Sequence, residues 1–282
     1  IESKQLGLSF SHLAITSGAF PTSSEELLGK YLRAVSNLKQ PSVKTVLRAA
    51  ALAVLEEISF TRKDGQYLRL DYRSGRGYGK TQFDKGEIKE FNSSITKKIN
   101  DIIDDLKNSK DSLEFPKKGN IEILNGSCLS ILPKLENKSF DFLMTSPPYC
   151  NRYDYTRTYA LELALLDVDE EKIRELRQTM MSCTVENKEK QNLDKVFTKN
   201  ASEKANEAFE NQEELQTIIK YLKEKKEAKE LNNPGIARMV KNYFYETILV
   251  KDLAEPEKKA ISKIIYEKKK PIALTFDDGY AD

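Results

Sequence analysis

Residues 121–149 read IEILNGSCLSILPKLENKSFDFLMTSPPY, and this stretch decides the fold class. A short apolar strand is predicted over residues 121–124, and a turn follows at Asn125 and Gly126. The apolar spacing of residues 129–135 predicts a helix, and residues 140–144 predict a second strand. Such a β-α-β unit forms a parallel strand pair with a right-handed crossover, so the sequence predicts an α/β fold.

The second predicted strand leads directly into the run from Thr145 through Ser146, Pro147 and Pro148 to Tyr149. In open α/β sheets, ligands bind outside the carboxyl ends of the strands. Two successive prolines stiffen this segment and leave backbone carbonyls free to accept hydrogen bonds. The Ser146 hydroxyl and the Pro147 carbonyl can accept the protons of an exocyclic base amine and disperse its developing positive charge. The Tyr149 ring offers a face for stacking a base that has left the duplex.

Residues 145–149 resemble the catalytic motif of the amino-methylating DNA methyltransferases, the cytosine-N4 and adenine-N6 enzymes. The similarity continues upstream through residues 121–133 and 139–141, and downstream through residues 151–159 into a predicted helix over 160–166. It implies a Rossmann-like, S-adenosylmethionine-dependent fold, incomplete in this chain, with a helical insertion. The serine form of the motif is typical of the cytosine-N4 group, so site-specific methylation of cytosine N4 in double-stranded DNA is favoured.

Two alternatives to cytosine-N4 methylation stay open. One is adenine-N6 methylation, and the other is a degenerate methyltransferase that binds only DNA or a partner. The resemblance assigns catalysis to Ser146, Pro147, Pro148 and Tyr149, and it implies S-adenosylmethionine as cofactor. The candidate cofactor residues are Glu2, Gly126, Ser127, Cys128 and Thr145.

The sequence departs from the family pattern at two places in the cofactor site. Ser127 stands where the family usually has an acidic residue, so contact with the cofactor adenine is expected to be weaker or to come from the backbone. The chain has no Phe-x-Gly-x-Gly segment to hold the methionine part of the cofactor. We expect that segment either to precede residue 1, with Glu2 contacting the ribose, or to belong to a second polypeptide.

Polar residues after the motif are candidate contacts to base edges or phosphates, and a hydrogen-bonded loop-to-helix junction would use the same residue types. A second, basic stretch over residues 61–80 is rich in glycine and aromatic residues and predicts a loop or hairpin. A DNA-backbone or interdomain role is weighed there against a solvated basic loop. The candidate DNA-binding residues are Asn151, Arg152, Tyr153, Asp154, Arg157, Arg73 and Arg76.

Composition limits the chemistry further. The 282 residues carry 46 Lys and Arg against 44 Asp and Glu, so any DNA-binding surface must be local. Three widely spaced cysteines indicate neither disulfides nor a zinc site, which favours a reducing cytoplasm, and the family resemblance implies that of a bacterium or archaeon. The single histidine, His12, excludes histidine-based catalytic or metal sites and predicts a structural role. No apolar run approaches the ~20 residues that span a bilayer, so no membrane partner is expected.

The pattern predicts a mainly helical region over residues 1–110, an α/β core over 111–167 and 233–282, and a charged helical insertion over 168–232. The insertion is a candidate for target recognition or partner docking, with a solvated arm as the alternative. A last strand is predicted at 271–276. Because the chain begins with Ile1 and ends soon after that strand, we expect a fragment.

The sequence disfavours two competing enzyme classes. Residues 274–280 are similar to the first motif of polysaccharide deacetylases, but the two later histidines of that family are missing, so chance is the favoured explanation. Cytosine-C5 methyltransferases attack through a cysteine that directly follows a proline. Here Tyr149 separates Pro148 from Cys150, so Cys150 is expected to be a packed residue.

Overall fold

The computed structural model describes residues 11–64, 67–76, 82–112, 121–136, 139–140, 142–146, 148–150, 153–190, 193–254 and 273–277. The chain divides into two compact units. The first comprises Ile1–Ile121 and Thr156–Ile173, and the second comprises Glu122–Tyr155 and Arg174–Asp282. These borders differ from the domain limits expected at residues 110, 167 and 232, and the expected division remains a prediction.

Helices dominate the described part of the chain, as its long amphipathic segments predict. None of these described helices combines the length and the apolar character that crossing a bilayer requires. In chain order the helices are α1 (Thr22–Ser36), α2 (Pro41–Val54), α3 (Phe91–Ser112), α4 (Cys128–Ile131), α5 (Tyr155–Thr158), α6 (Ala160–Leu165), α7 (Glu170–Thr179), α8 (Leu193–Val196), α9 (Lys199–Glu210), α10 (Glu213–Glu227) and α11 (Ile236–Ala254).

The first unit is built around α1, α2 and α3. Pro41 stands in the first turn of α2, where its missing N–H leaves no hydrogen bond unmade. The Tyr31 ring of α1 packs edge-on against Phe91 of α3, with ring centroids 5.5 Å apart. Apolar side chains from these helices and from α6 form one core, whose buried members include Leu28, Val54, Leu55, Ile58, Phe91, Ile95, Leu161 and Leu165.

The basic stretch of the first unit forms a hairpin, one of the two conformations that its sequence predicts. Strands β1 (Thr61–Asp64) and β2 (Tyr67–Leu70) pair antiparallel, with Thr61 opposite Leu70. A single 3₁₀ turn follows over Tyr72–Ser74. It ends at Gly75, whose φ of 71° is left-handed and therefore favours glycine.

Strand β3 (Phe142–Ser146) of the second unit pairs in parallel with β4 (Ala273–Asp277). The last predicted strand is thus confirmed, and the strand predicted at 140–144 is displaced by two residues toward the motif. The strand predicted at 121–124 is wrong for the described residues. Ile121 and Ile123 are 90% and 86% exposed, and β3 takes β4 as its described neighbour. Without a neighbouring ladder, an apolar run does not become a strand.

The core of the second unit joins the expected insertion to the segment before β3. Buried residues of α4 and of the 3₁₀ turn Leu132–Lys134 pack with residues from the region 168–232 and from α11. This shared core disfavours the solvated-arm alternative. Its buried members are Cys128, Leu129, Leu132, Met181, Phe197, Ala205 and Leu249.

Candidate active site

The carboxyl end of β3 carries the start of the predicted catalytic segment. Thr145 and Ser146 belong to the strand itself, with Ser146 opposite Asp277 of β4, and both are exposed. Pro147 lies outside the described residues, and Pro148 is buried. Tyr149 is 62% exposed. A hydroxyl-bearing residue and an aromatic ring therefore stand open to solvent within four positions of each other at a strand end.

The thiol next to this segment is not prepared for nucleophilic attack. Cys150 is a free, half-buried cysteine. Burial raises the pKa of its thiol to about 11, because the apolar surroundings disfavour the thiolate. At neutral pH the sulfur stays protonated, which agrees with the expected packing role.

The turn before α4 holds three candidate cofactor residues. Gly126 has a φ of 156°, and a Cβ at this position would lie 3.1 Å from Ile131 Cδ1. The Ser127 hydroxyl accepts a hydrogen bond from the Leu129 backbone N–H at 3.3 Å and so caps α4. Cys128 is buried in the core of the second unit. Their cofactor contacts stay predictions, as does that of Glu2, which lies outside the described residues.

Two of the residues that follow the motif, Tyr153 and Asp154, are built into the second unit. The rings of Tyr153 and Tyr155 lie 4.5 Å apart by their centroids. The buried Asp154 carboxylate pairs with Arg177 of α7, with 3.1 Å between Oδ2 and Nε. These contacts favour the junction alternative for Tyr153 and Asp154. Asn151 and Arg152 lie outside the described residues. Arg157 is half-buried in α5, and its contact with DNA remains a prediction.

A buried loop after α7 supports this junction. The Cys183 thiol donates to the Tyr153 carbonyl oxygen over 3.5 Å, and the Asn187 amide donates to the Arg177 carbonyl. Arg238 of α11 donates to the Asn187 carbonyl at 3.0 Å. Sequence patterns did not indicate Arg177 or Asn187, because both act on residues distant in the chain and no local spacing marks them.

In the first unit, the two candidate DNA-binding arginines are engaged internally. Arg73 forms a fork on the fully buried Asp71 carboxylate, with 2.8 Å from Nε to Oδ1 and 2.8 Å from Nη2 to Oδ2. This hydrogen-bonded pairing holds the pKa of Asp71 well below its usual range. Arg76 donates from Nη1 to the carbonyls of Ala14 and Ile15, at 2.8 and 3.0 Å. Both arginine side chains therefore have a structural role within the first unit. Their contact with DNA remains a prediction.

The structural role predicted for His12 is confirmed. Its Nδ1 lies 3.2 Å from the Thr16 hydroxyl, and its Nε2 pairs with the Glu25 carboxylate. Both ring nitrogens thus have partners inside the first unit.

Comparison with known proteins identifies the class to which these features belong. Type II methyltransferase M.AvaI from Nostoc sp. is 48% identical to this chain over 242 residues, covering 84% of the chain and 48% of the relative. The protein of the same name from Anabaena variabilis gives the same values. Type II methyltransferase M.BsoBI from Geobacillus stearothermophilus is 42% identical over 260 residues, covering 86% of the chain and 51% of the relative. No family model and no solved structure matches the chain.

The chain is therefore homologous to Type II methyltransferases, which confirms the predicted relation to DNA methyltransferases. This homology implies a methyltransferase fold, and the parallel pair of β3 and β4 among helices agrees with it. The chain spans about half the length of the curated relatives it matches. Those relatives contain the matched region within one longer polypeptide, so they give no support for a second polypeptide.

Proposed function

We propose that this chain carries the base-amine pocket of a site-specific DNA methyltransferase that uses S-adenosylmethionine and acts in a restriction-modification system. The observation that carries the proposal is the exposure of Ser146 and Tyr149 at the carboxyl end of β3. Ligands bind at such strand ends in open α/β sheets. The homology to Type II methyltransferases supports DNA as the substrate class.

Only some of the described candidate residues are placed so that they could contact S-adenosylmethionine, the methyl donor. Thr145 is exposed and can contact it, whereas Cys128 is buried and the Ser127 hydroxyl already caps α4. S-adenosylmethionine, when bound, supplies an electrophilic methyl group.

Ser146 and its neighbouring backbone act on the exocyclic amine of the base. This amine is a poor nucleophile because its lone pair is delocalised into the ring. The amine donates hydrogen bonds from its N–H groups to the Ser146 hydroxyl and the Pro147 carbonyl, which localises the lone pair and disperses the positive charge that develops on nitrogen. The Tyr149 ring stacks on the flipped base and offsets part of the free energy lost when the base leaves the duplex.

Cytosine N4 is the favoured acceptor because the serine form of the motif resembles the cytosine-N4 group. A transfer assay tests both the activity and the base. The complete gene product is incubated with tritium-labelled S-adenosylmethionine and unmethylated duplex DNA, and the product DNA is digested and analysed by mass spectrometry. We expect N4-methylcytosine. N6-methyladenine would correct the base, and a blank transfer assay would contradict the enzymatic function and leave the degenerate, binding-only alternative.

The substitution Tyr149→Ala tests the site itself. Loss of base stacking, worth ~1–3 kcal/mol per base, should lower kcat/KM about 10- to 100-fold. Since this ring is mostly exposed, the thermal midpoint should not change. Cys150→Ala is the matched control and should keep full activity, because the neighbouring thiol is protonated. Equal activity of both variants would argue against the pocket, and selective loss in Cys150→Ala would indicate a thiol mechanism.

A further inference from the structure

The Tyr149 ring depends on support from the chain on either side of it. The ring is 62% exposed, so packing of its own fixes its orientation only weakly. Pro148 before it is buried, and so are Tyr153 and Asp154 after it. The position of the ring is therefore set by how firmly the chain is held at these two buried anchors.

An ion pair holds the anchor that follows the motif. Asp154 Oδ2 lies 3.1 Å from Nε of Arg177 in α7, and the two side chains are only 6% and 21% exposed. A buried charge is costly unless an opposite charge lies close to it, so this pairing strongly favours one position of Asp154. The buried rings of Tyr153 and Tyr155, with centroids 4.5 Å apart, restrict the same segment further.

Arg177 is itself held by the buried loop after α7. The Asn187 amide donates to the Arg177 carbonyl, and the Thr184 N–H donates to Asn187 Oδ1 at 3.0 Å. From the same loop, the Cys183 thiol donates to the Tyr153 carbonyl over 3.5 Å. One loop thus contacts both the helix that carries the arginine and the segment that carries the aspartate. A site that must be held in one geometry requires fixed support of this kind.

We infer that Arg177 is a positioning residue for methyl transfer, which acts through Asp154 on the segment that carries Tyr149. The inference rests on the proposed function, in which the Tyr149 ring stacks on the flipped base. Methyl transfer needs the base amine in line with the donor methyl group, and a misplacement of about 1 Å can lower the rate about 100-fold. Loss of the ion pair should therefore slow the chemical step, although every group that meets the base is still present.

Single-turnover kinetics of the complete gene product test the inference. Unmethylated duplex DNA is mixed with tritium-labelled S-adenosylmethionine and saturating enzyme. At saturation, the rate constant of methyl transfer does not depend on the folded fraction of the enzyme, so it separates positioning from a loss of stability. We expect Arg177→Met to lower this rate constant about 100-fold and to change the affinity for duplex DNA less than about threefold.

Arg177→Lys and Arg238→Gln are the comparison variants. Lysine keeps a positive charge beside Asp154 and should bring the rate constant to within about 10-fold of the wild type. Arg238 of α11 supports the same loop, because it donates to the carbonyls of Val185 and Asn187 at 3.0 Å each. Arg238→Gln should lower the thermal midpoint and leave the rate constant within about threefold. An equal loss of rate in Arg238→Gln would show that any loosening of the loop slows the reaction, and would overturn the inference.

The substitution Asp154→Asn decides the question if Arg177→Met does not fold. Asparagine keeps the shape of the side chain and leaves no buried anion unpaired, and the remaining arginine still reaches solvent. We expect a rate constant about 10- to 100-fold below that of the wild type. The double variant should be no slower than the slower single variant, because both changes remove the same contact. A wild-type rate constant in Asp154→Asn, or losses that multiply in the double variant, would overturn the inference.

The same measurements distinguish this inference from the proposed function. A wild type that transfers no methyl group would refute the proposed function and the inference with it. An active wild type together with an unchanged rate constant in folded Arg177→Met would overturn the inference alone. If Arg177→Met lost affinity for DNA and kept its rate constant at saturation, the arginine would be a phosphate contact, and the inference would again be overturned.

Discussion

The Asp71 carboxylate, with no exposed surface, organises the turn after the hairpin of the first unit. It accepts hydrogen bonds from the Arg73 guanidinium and from the backbone N–H groups of Arg73 and Lys85, at 2.9 and 2.6 Å for the two backbone donors. Arg73 in turn donates to the Gly86 carbonyl at 2.7 Å. One carboxylate thus ties residues 72–76 to residues 85–86.

The substitution Asp71→Asn should loosen this turn. It removes the charge from a buried pair whose cation is partly exposed, so the loss of stability is expected to be about 2–3 kcal/mol, below that of a fully buried pair. Hydrogen exchange at residues 67–76 should therefore accelerate about 30- to 100-fold at pH 7. Asp84→Asn is the matched control: this exposed carboxylate lies 3.6 Å from Arg73, and its loss should change exchange less than threefold.

The same pair predicts a dependence on pH. The folded pKa of Asp71 lies below its unfolded value of about 3.9, so its contribution to stability is complete above that value and is lost as the pH falls further. The difference in exchange between the wild type and Asp71→Asn should accordingly shrink below about pH 4. A difference that stayed constant from pH 7 to pH 3 would show that hydrogen-bond geometry, and not charge, explains the effect.

Single residues also show the limits of prediction from sequence. The positions of Ser146 and Tyr149 at a strand end follow from a local pattern, since an apolar run before two prolines fixes where the strand stops. The internal pairing of Arg76 with carbonyls near residue 14 does not, because contacts across some sixty positions leave no local spacing. For the same reason Arg177 has no signature in the sequence.

Among the elements, α11 connects the expected insertion with the segment before β3. Leu249 of α11 packs in one core with Phe197 and Ala205 and with Leu129 and Leu132. The Phe209 ring of α9 also meets Tyr245 of α11 edge-on. Helices from the region 168–232 are therefore structural parts of the second unit.

The substitution Leu249→Ala should weaken this unit as a whole. Removing a buried leucine side chain costs about 2–5 kcal/mol, so the thermal midpoint should fall and exchange in both α4 and α9 should accelerate together. Ile218→Ala in α10, where the side chain is 51% exposed, is the matched control and should change stability by less than about 0.5 kcal/mol. Acceleration confined to α9 would indicate that the insertion unfolds by itself.

The helices were predicted better than the strands, because helical hydrogen bonds are local and strand hydrogen bonds are not. The helices α1, α2, α10 and α11 follow from apolar periodicity over several turns, because helical hydrogen bonds are local. Strands depend on partners elsewhere in the chain. The run at 121–124 has the right composition but no described partner, whereas β4 lies about 130 positions beyond β3 and pairs with it.

On the scale of the whole chain, the near balance of charges constrains the DNA binding that we propose. A formal net charge of +2 over 282 residues gives little long-range attraction, so binding has to rely on few local phosphate contacts. Internal pairing of Arg73 and Arg76 reduces the number of available cations further. Arg69 pairs with Asp64 at 2.8 Å, whereas the exposed Arg62, whose guanidinium lies 5.7 Å from the centroid of the Phe83 ring, remains as a cation on the hairpin surface.

The salt dependence of DNA affinity tests whether binding relies on few phosphate contacts. Each neutralised phosphate contributes about −0.9 to the slope of log Kobs against log salt. With about five contacts or fewer, affinity for a duplex should fall by less than about 10³-fold between roughly 50 and 200 mM salt, as measured by fluorescence anisotropy. Arg62→Gln should make the slope shallower by about one unit if this arginine contacts a phosphate. A wild-type slope near −9 would show that the protein presents a far more basic surface than its net charge implies.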